Sequence, residues 1–143
     1  MKAGQRGFTL IELLVVVALI AIAVGTVSLA LRDPTATQLE REAERLAALL
    51  EMARAESRTD GLPVQWLPLP DKAEFRFVGL PPGVTMPTQW LGDPVQVEVL
   101  GGNSVMLGPE PIIGAQRILL HLGERQLMLA TDGLSSFEVR PVP

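Results

Sequence analysis

Apolar residues are concentrated in one long run near the start of the chain. Residues 8–31 contain 19 apolar residues out of 24, and their single charged residue is Glu12. As an α-helix, the uncharged part from Leu13 to Leu31 would be about 28 Å long, close to the hydrocarbon thickness of a bilayer. The pattern therefore predicts a transmembrane helix over residues 8–31.

A second helix is predicted over residues 32–58, where apolar residues recur at alternating spacings of four and three. Such spacings place them on one helix face, which we expect to pack on the rest of the domain while charged residues stay in solvent. Pro34 lacks an amide hydrogen and disfavours helix at the residue before it, so a kink or short break is expected there. The apolar stripe is Leu39, Ala43, Leu46, Leu50 and Ala53, and the residues expected in solvent include Glu42, Arg45, Glu51, Arg54 and Arg58.

Beyond Asp60-Gly61 the pattern changes to short alternating runs that are typical of β-strands. Of the 12 prolines, 11 follow this point, and residues 59–143 are predicted to form a β-rich head. Turn residues at Gly101–Asn103, Leu122–Glu124 and Asp132–Gly133 separate successive runs, so hairpins should dominate the pairing. We expect two small antiparallel sheets, one of which packs against the helix stripe. The candidate strands are Val64–Leu67, Glu74–Val78, Val95–Leu100, Ser104–Leu107, Arg117–Leu122, Arg125–Ala130 and Ser136–Arg140.

Composition and charge narrow the function classes. The whole chain has 48% apolar residues and a mean hydropathy of +0.30. These averages reflect an apolar amino-terminal segment and a head of ordinary composition. A formal charge of -4 disfavours nucleic acid as the main partner, because phosphate binding needs clustered lysine and arginine. The absence of cysteine excludes disulfides, thiolate metal sites and cysteine nucleophiles.

The head offers no convergent set of reactive side chains. The single histidine, His121, lies in a predicted strand, opposite in phase to its apolar positions, and is interpreted as an ordinary strand residue. Asp132-Gly133 lacks the acidic series of a calcium loop and indicates a turn. Trp66 is expected in the core, whereas Trp90 is assigned equally to the core and to an interface. We expect no enzymatic activity, no cofactor and no metal site.

The basic start of the chain and the apolar run after it fit more than one interpretation. A secretory signal peptide has a shorter apolar core, of about 7–15 residues. A plain membrane anchor fits the length, and Lys2 and Arg6 would keep the amino terminus in the cytoplasm and the carboxyl-terminal bulk on the other side. Neither interpretation explains Glu12, because an ionised carboxylate inside a membrane helix costs at least about 2.5 kcal/mol.

A cut after Gly7 would supply a partner for Glu12. It would give Phe8 an α-ammonium group one helical turn before Glu12, on the same chain or on a neighbour. The residues Gly7-Phe8-Thr9-Leu10-Ile11-Glu12 resemble the cleavage and methylation motif of type IV pilins and type II secretion pseudopilins. The resemblance implies that residues 1–7 are a leader, that a prepilin peptidase cuts between Gly7 and Phe8 and methylates Phe8, and that Glu12 guides assembly. Because the leader holds two basic residues, the charge would fall from -4 to -6 on cleavage.

The resemblance also implies an α+β fold of the type IV pilin kind: a long amino-terminal helix, transmembrane in its first half, packed on an antiparallel sheet or sandwich. The helix Leu39–Arg58, the following Asp60-Gly61 and the closing runs Ile118–Leu122, Gln126–Ala130 and Asp132–Val139 resemble the minor type II secretion pseudopilin H, of the GspH/FimT family. This implies a single-pass inner-membrane subunit with a periplasmic head, assembled near the pseudopilus tip. The implied partners are the prepilin peptidase, the major pseudopilin G, the minor pseudopilins I, J and K, and inner-membrane lipid.

Other functions stay open at this point. A minor type IV pilin similar to FimU or FimT, which primes pilus assembly, motility or DNA uptake, shares the helix and the closing hairpin. A DNA-binding pilin is disfavoured, because the tail Glu138–Pro143 contains one arginine. A membrane-anchored periplasmic enzyme would need reactive side chains that this sequence does not bring together.

Overall fold

The computed structural model describes residues 7–30 and 33–143, which fall into two compact units divided after Asp33. In the first unit, helix α1 spans Leu10–Ala30. The predicted leader residues before Gly7 lie outside the described residues, as do residues 31–32. Asp33 is not helical, as predicted for the residue before Pro34.

Helix α2 spans Pro34–Asp60 and is the long element of the second unit. Proline suits its first position, because the first amides of a helix have no intrahelical acceptor. At the other end Gly61 adopts φ 65°, and the Leu62 amide donates to the Ser57 carbonyl at 3.2 Å. This Schellman-type ending is typical of a helix that stops at glycine. The predicted apolar stripe is confirmed, since Leu39, Ala43, Leu46, Leu50 and Ala53 are all buried.

In the described part of the chain, seven strands form two antiparallel sheets, as predicted. The order is β2-β1-β4 in the smaller sheet and β3-β5-β6-β7 in the larger, and a short 3-10 helix at Pro70–Lys72 joins β1 to β2. The larger sheet packs on α2. The strands are β1 Gln65–Leu69, β2 Glu74–Val78, β3 Gln96–Leu100, β4 Val105–Met106, β5 Gln116–Leu122, β6 Arg125–Thr131 and β7 Glu138–Pro141.

The register of the larger sheet explains its packing on α2. One row of register partners crosses all four strands of this sheet. It consists of Val99 on β3, Ile118 on β5, Leu129 on β6 and Val139 on β7. Because side chains alternate across a strand, this row and the parallel row through Leu120 share one face. All of these side chains belong to or pack against the core that contains the α2 stripe.

One predicted turn has a different role. The predictions of turns at Leu122–Glu124 and Asp132–Gly133 are confirmed, since β5 pairs with β6 and β6 with β7. The expectation that Gly101–Asn103 closes a hairpin is wrong, because β3 pairs with β5 and β4 pairs with β1 in the other sheet. The turn carries the chain between sheets, so that Val105 is buried beside β1. Tertiary burial, which the turn residues do not encode, decides this pairing.

The two tryptophans lie at different depths. Trp66 is fully buried, which confirms its predicted place in the core, and its ring centroid is 5.9 Å from that of Phe75. Trp90 is half-buried and packs edge-on against the same Phe75 at 4.9 Å. The smaller sheet therefore contributes an aromatic group to the common core, and Trp90 closes its margin.

Candidate functional site

The predicted processing site lies immediately before helix α1. The hydroxyl of Thr9 accepts the Glu12 amide at 3.4 Å, and the Thr9 carbonyl accepts the amides of Glu12 and Leu13 at 3.1 and 3.2 Å. Thr9 is thus the N-cap, and Glu12 occupies the third helical position, as in a capping box. The cap stops the helix short of the Gly7–Phe8 bond, and the Phe8 side chain is 82% exposed. A protease could reach this bond without unwinding a helix.

Glu12 is the single charged residue of helix α1. Within residues 7–30 and 33–143, no side chain pairs with its carboxylate, and α1 contains no basic residue. Its position in the first turn is favourable for a negative charge, because the amide dipoles of a helix point their positive end there. Phe8 lies two residues before the helix, so the predicted pairing of its amine with Glu12 concerns the cleaved protein.

The rest of α1 is apolar on every side. Leu10–Val27 is long and apolar enough to cross a membrane, and it is the one such segment in the described part of the chain. None of this segment is buried within the protein. A helix that is hydrophobic all round requires lipid or other apolar helices as its surroundings.

Two buried charged residues of α2 fasten loops of the head. Glu42 is 2% exposed, and its Oε1 accepts the amides of Leu91 and Gly92 at 2.6 and 3.1 Å. Its other oxygen lies 3.4 Å from Arg45, which also donates to the Gln89 carbonyl at 3.0 Å. The loop between β2 and β3 is therefore held on the amino-terminal half of α2, because the Glu42 carboxylate accepts hydrogen bonds from its backbone.

Arg54 makes the corresponding contacts on the carboxyl-terminal half of α2. It is 1% exposed and donates to the carbonyls of Gly133 at 2.6 Å and Ser135 at 2.9 Å. Glu51, 3.5 Å from Arg54, accepts the Phe137 amide at 3.0 Å. These contacts fix the turn between β6 and β7 against the helix.

The prediction that these charges form a solvated face is wrong for Glu42 and Arg54. Each follows or precedes a stripe residue by one position, so it sits at the border of the apolar face. Their charges are compensated by hydrogen bonds to loop backbone, which the sequence pattern does not reveal. The one available signal in the sequence was the spacing of opposite charges three residues apart, and in the structure Glu42 pairs with Arg45 and Glu51 with Arg54.

The remaining candidates form no reactive site. His121 is half-buried on β5 and faces Gln96 and Gln126 in register, as expected for an ordinary strand residue. Asp132 accepts the amides of Leu134 and Ser135 at 2.9 and 2.7 Å, and these bonds, that of Ser135 foremost, lower the pKa of its carboxyl. Among the residues that can be described, no three histidine or acidic side chains are grouped so as to hold a metal.

A capped apolar helix behind an exposed Gly7–Phe8 bond, together with an antiparallel head on an amphipathic helix, is an arrangement similar to that of pilins. Residues 2–28 match the family model described as the prokaryotic N-terminal methylation motif. Such a motif implies processing by a prepilin peptidase and assembly with other pilins, and the apolar helix indicates a single-pass membrane anchor.

The head and helix have the fold of the type IV minor pilin FimU of Pseudomonas aeruginosa strain PAO1. One crystal structure of FimU is 14% identical over 75% of this chain and 90% of its own, with a TM-score of 0.54. A second crystal form is 16% identical over 72% of this chain and 93% of its own, with a TM-score of 0.55. No curated protein sequence matches the chain. The predicted type IV pilin-like fold is thus confirmed.

We expect Arg54→Ala to lower the free energy of unfolding by at least about 2 kcal/mol, because the buried Gly133 carbonyl, other part-buried loop carbonyls and Glu51 lose this donor. Arg58→Ala, one turn later on the exposed side, is the matched control and should change it by less than about 0.5 kcal/mol. Urea titration of the full chain in detergent, followed by tryptophan fluorescence, measures both. Equal effects of the two variants would contradict the role given to Arg54.

Proposed function

We propose that this chain is a minor pseudopilin of the type II secretion system, of the H type. It is a non-enzymatic subunit that is cleaved between Gly7 and Phe8, methylated on the Phe8 amine and assembled into the pseudopilus that drives export of folded proteins. The observation that carries the proposal is the lone Glu12 near the start of a capped, wholly exposed apolar helix.

The orientation in the membrane follows from the charges that flank the apolar helix. Lys2 and Arg6 precede it and should stay on the cytoplasmic side, whereas the head, residues 59–143, follows it. We therefore infer a single-pass inner-membrane protein with a periplasmic head before assembly. Extraction of α1 from lipid costs little only when other apolar helices replace the lipid, as in a fibre core.

Glu12 provides the specificity of assembly in this proposal. A carboxylate in an apolar core needs a nearby cation, and α1 has none of its own. The methylated amine of Phe8 on an adjoining subunit is the cation that cleavage creates at the right depth. Pairing Glu12 with that amine selects one axial register of neighbouring helices.

The partners follow from the same proposal. The prepilin peptidase acts first, and the major pseudopilin G and the minor pseudopilins I, J and K are the subunits next to which the chain assembles. We place it between the tip complex and the shaft of the pseudopilus.

A second candidate is a minor type IV pilin that primes pilus assembly, which the shared fold with FimU favours. The DNA-uptake variant has less support. The one arginine of the tail, Arg140, is already 3.0 Å from Glu138, and cleavage would leave the chain at a charge of -6.

We predict that Gly7→Ala blocks removal of the leader. An added Cβ at Gly7 would meet no atom within 4 Å, so the fold should be unaffected and any loss arises at the peptidase. Gly25→Ala, equally unobstructed within α1, is the matched control and should be processed normally. Intact-mass spectrometry distinguishes precursor from mature chain. A mature mass for Gly7→Ala would show that the cut does not depend on this glycine.

We predict that Glu12→Val is cleaved normally but enters fibres poorly, at about a tenth of the wild-type amount or less, because it cannot pair with the neighbouring amine. Thr26→Val is the matched control, since the Thr26 hydroxyl already donates to the Ala23 carbonyl at 2.9 Å and needs no partner. Quantitative immunoblotting of sheared fibres gives the result. Normal incorporation of Glu12→Val would refute the assembly role.

A deletion strain decides between the two machines. We expect loss of exoprotein secretion with normal twitching motility and normal DNA uptake, each restored by the wild-type gene. Loss of twitching with intact secretion would instead assign the chain to a type IV pilus.

A further inference from the structure

The two sheets of the head have four edge strands, and three of these edges are blocked. Edge strands expose unpaired amides and carbonyls that can pair with another chain, so stable proteins usually cover or interrupt them. On β2, the Phe75 amide donates to the Thr88 carbonyl at 2.9 Å, and Glu74 forms a bridge with Gln89. The segment before Trp90 therefore covers the first part of that edge and interrupts its pairing with another strand.

The edge of β4 is closed by a side chain. The carboxamide of Gln116 accepts the Met106 amide at 2.8 Å and donates to the Met106 carbonyl at 2.7 Å. A side-chain amide thus takes the place that a neighbouring strand would fill. With only two residues in β4, Val105 and Met106, no further length is left to pair.

The edge of β7 is interrupted by proline. Pro141 is the register partner of Leu127 and has no amide hydrogen, so the two cannot form a hydrogen-bonded pair. By the alternation of antiparallel pairs, the peptide group of Pro141 then faces outward. An added strand would meet no donor at that position.

The edge of β3 carries no such device. Hydrogen-bonded and non-hydrogen-bonded pairs alternate along each pair of antiparallel strands. When this alternation is followed from Pro141 on β7 through β6 and β5 to β3, the amides and carbonyls of Val97 and Val99 point away from the sheet. In agreement, the Val99 carbonyl accepts the Gly102 amide from outside the sheet, at 3.4 Å. Among the residues that the structure describes, no other backbone segment bonds to this edge. A groove of about 410 Å³ runs beside it, lined by Pro70, Ala73, Pro94, Val95, Gln96 and Val97.

We propose that the β3 edge is a docking site for an extended segment of another pilin-like subunit, which adds a strand to the larger sheet and places lysine or arginine beside Glu98. The proposal rests on the assembly function proposed above. Backbone hydrogen bonds to the amide and carbonyl of Val97 and to the amide of Val99 provide the attachment, and the groove accepts alternate side chains of the incoming segment.

Charge decides the partner. Glu98 is exposed at the centre of β3, faces Leu119 on β5, and has no ion-pair partner among the described residues. Opposite charges on adjacent strands stabilise pairing, and like charges oppose it. A basic residue on the incoming segment is therefore favoured.

A second copy of the chain is the wrong occupant. Three of its edges are blocked, so it could offer only its own β3. A two-fold antiparallel pairing of the two copies of Gln96–Leu100 centres on Glu98 and sets the two carboxylates directly opposite each other. In this fully overlapping register, the charge of Glu98 favours a partner subunit over a second copy.

The first test measures strand addition directly, with the full chain in detergent micelles. The probes are two short capped peptides of alternating threonine and valine, one with a central lysine and one with a central glutamate. We expect the lysine peptide to bind about tenfold more tightly and to slow hydrogen exchange of the Val97 and Val99 amides. Binding without protection of these amides would overturn the proposal.

Charge reversal supplies the control within the same assay. Glu98→Lys lies on an exposed position and should reverse the preference between the two peptides, whereas Glu124→Lys, in the exposed turn between β5 and β6, should leave it unchanged. An unchanged preference in Glu98→Lys would remove Glu98 from the site.

The second test identifies the occupant in cells. A photo-reactive amino acid at Gln96 should cross-link to a pilin-like subunit identified by mass spectrometry, whereas the same group at Gln126, on the central strand β6, should not. A cross-link to a second copy, or none in a strain that secretes normally, would overturn the proposal. If deletion of the gene abolishes secretion but the photo-reactive group at Gln96 gives no cross-link, the docking site is rejected and the proposed function stands. Peptide binding in a chain whose deletion leaves secretion intact would reject the proposed machine alone.

Discussion

The head depends on the burial of one face of α2. Leu39, Leu46 and Leu50 lie on that face, and the inward rows of the larger sheet pack against it, so the helix and sheet supply each other's missing half of the core. Two charged residues at the borders of this face, Glu42 and Arg54, then fix the positions of loops that the apolar contacts do not hold. Glu42 holds the loop before β3 and Arg54 holds the turn before β7, on opposite halves of the helix. Apolar burial is non-directional, and these polar contacts give the loops a single position.

The helices and strands could be predicted from local sequence because the buried residues of each recur at regular spacings. The α2 stripe repeats with the helical turn, and strands such as β2 alternate in and out, so both could be located from spacing alone. Strand pairing could not, because it depends on contacts that are remote along the chain. The turn at Gly101–Asn103 fits a hairpin locally, yet burial of Val105 beside β1 sends β4 to the other sheet. Glu42 and Arg54 were missed for a similar reason, since their partners are backbone groups of distant loops.

The amino-terminal motif could be recognised from residue types because it lies in one short contiguous segment, Gly7 to Glu12. The structure adds the physical reason for its form: Thr9 caps α1 and keeps the Gly7–Phe8 bond outside the helix. The role proposed for Glu12 cannot be seen in one chain, because the partner of its carboxylate would belong to another subunit and would exist only after cleavage. The isolated carboxylate is what such a role requires, an unsatisfied charge that only the assembled state can pair.

The blocked edges and the apolar helix have complementary consequences for assembly. In the proposed membrane-anchored state, copies of the chain would diffuse in the plane of the bilayer, so edge strands of neighbouring copies would meet far more often than in free solution. Unblocked edges would then pair before the helices could, and would trap the chain outside the fibre. Gln116 and Pro141 remove this route at β4 and β7, and Glu98 disfavours it at β3. In this proposal, pairing between copies of the chain is thereby left to α1, whose exposed apolar surface permits contact with many helices and whose single carboxylate favours the register that supplies a cation.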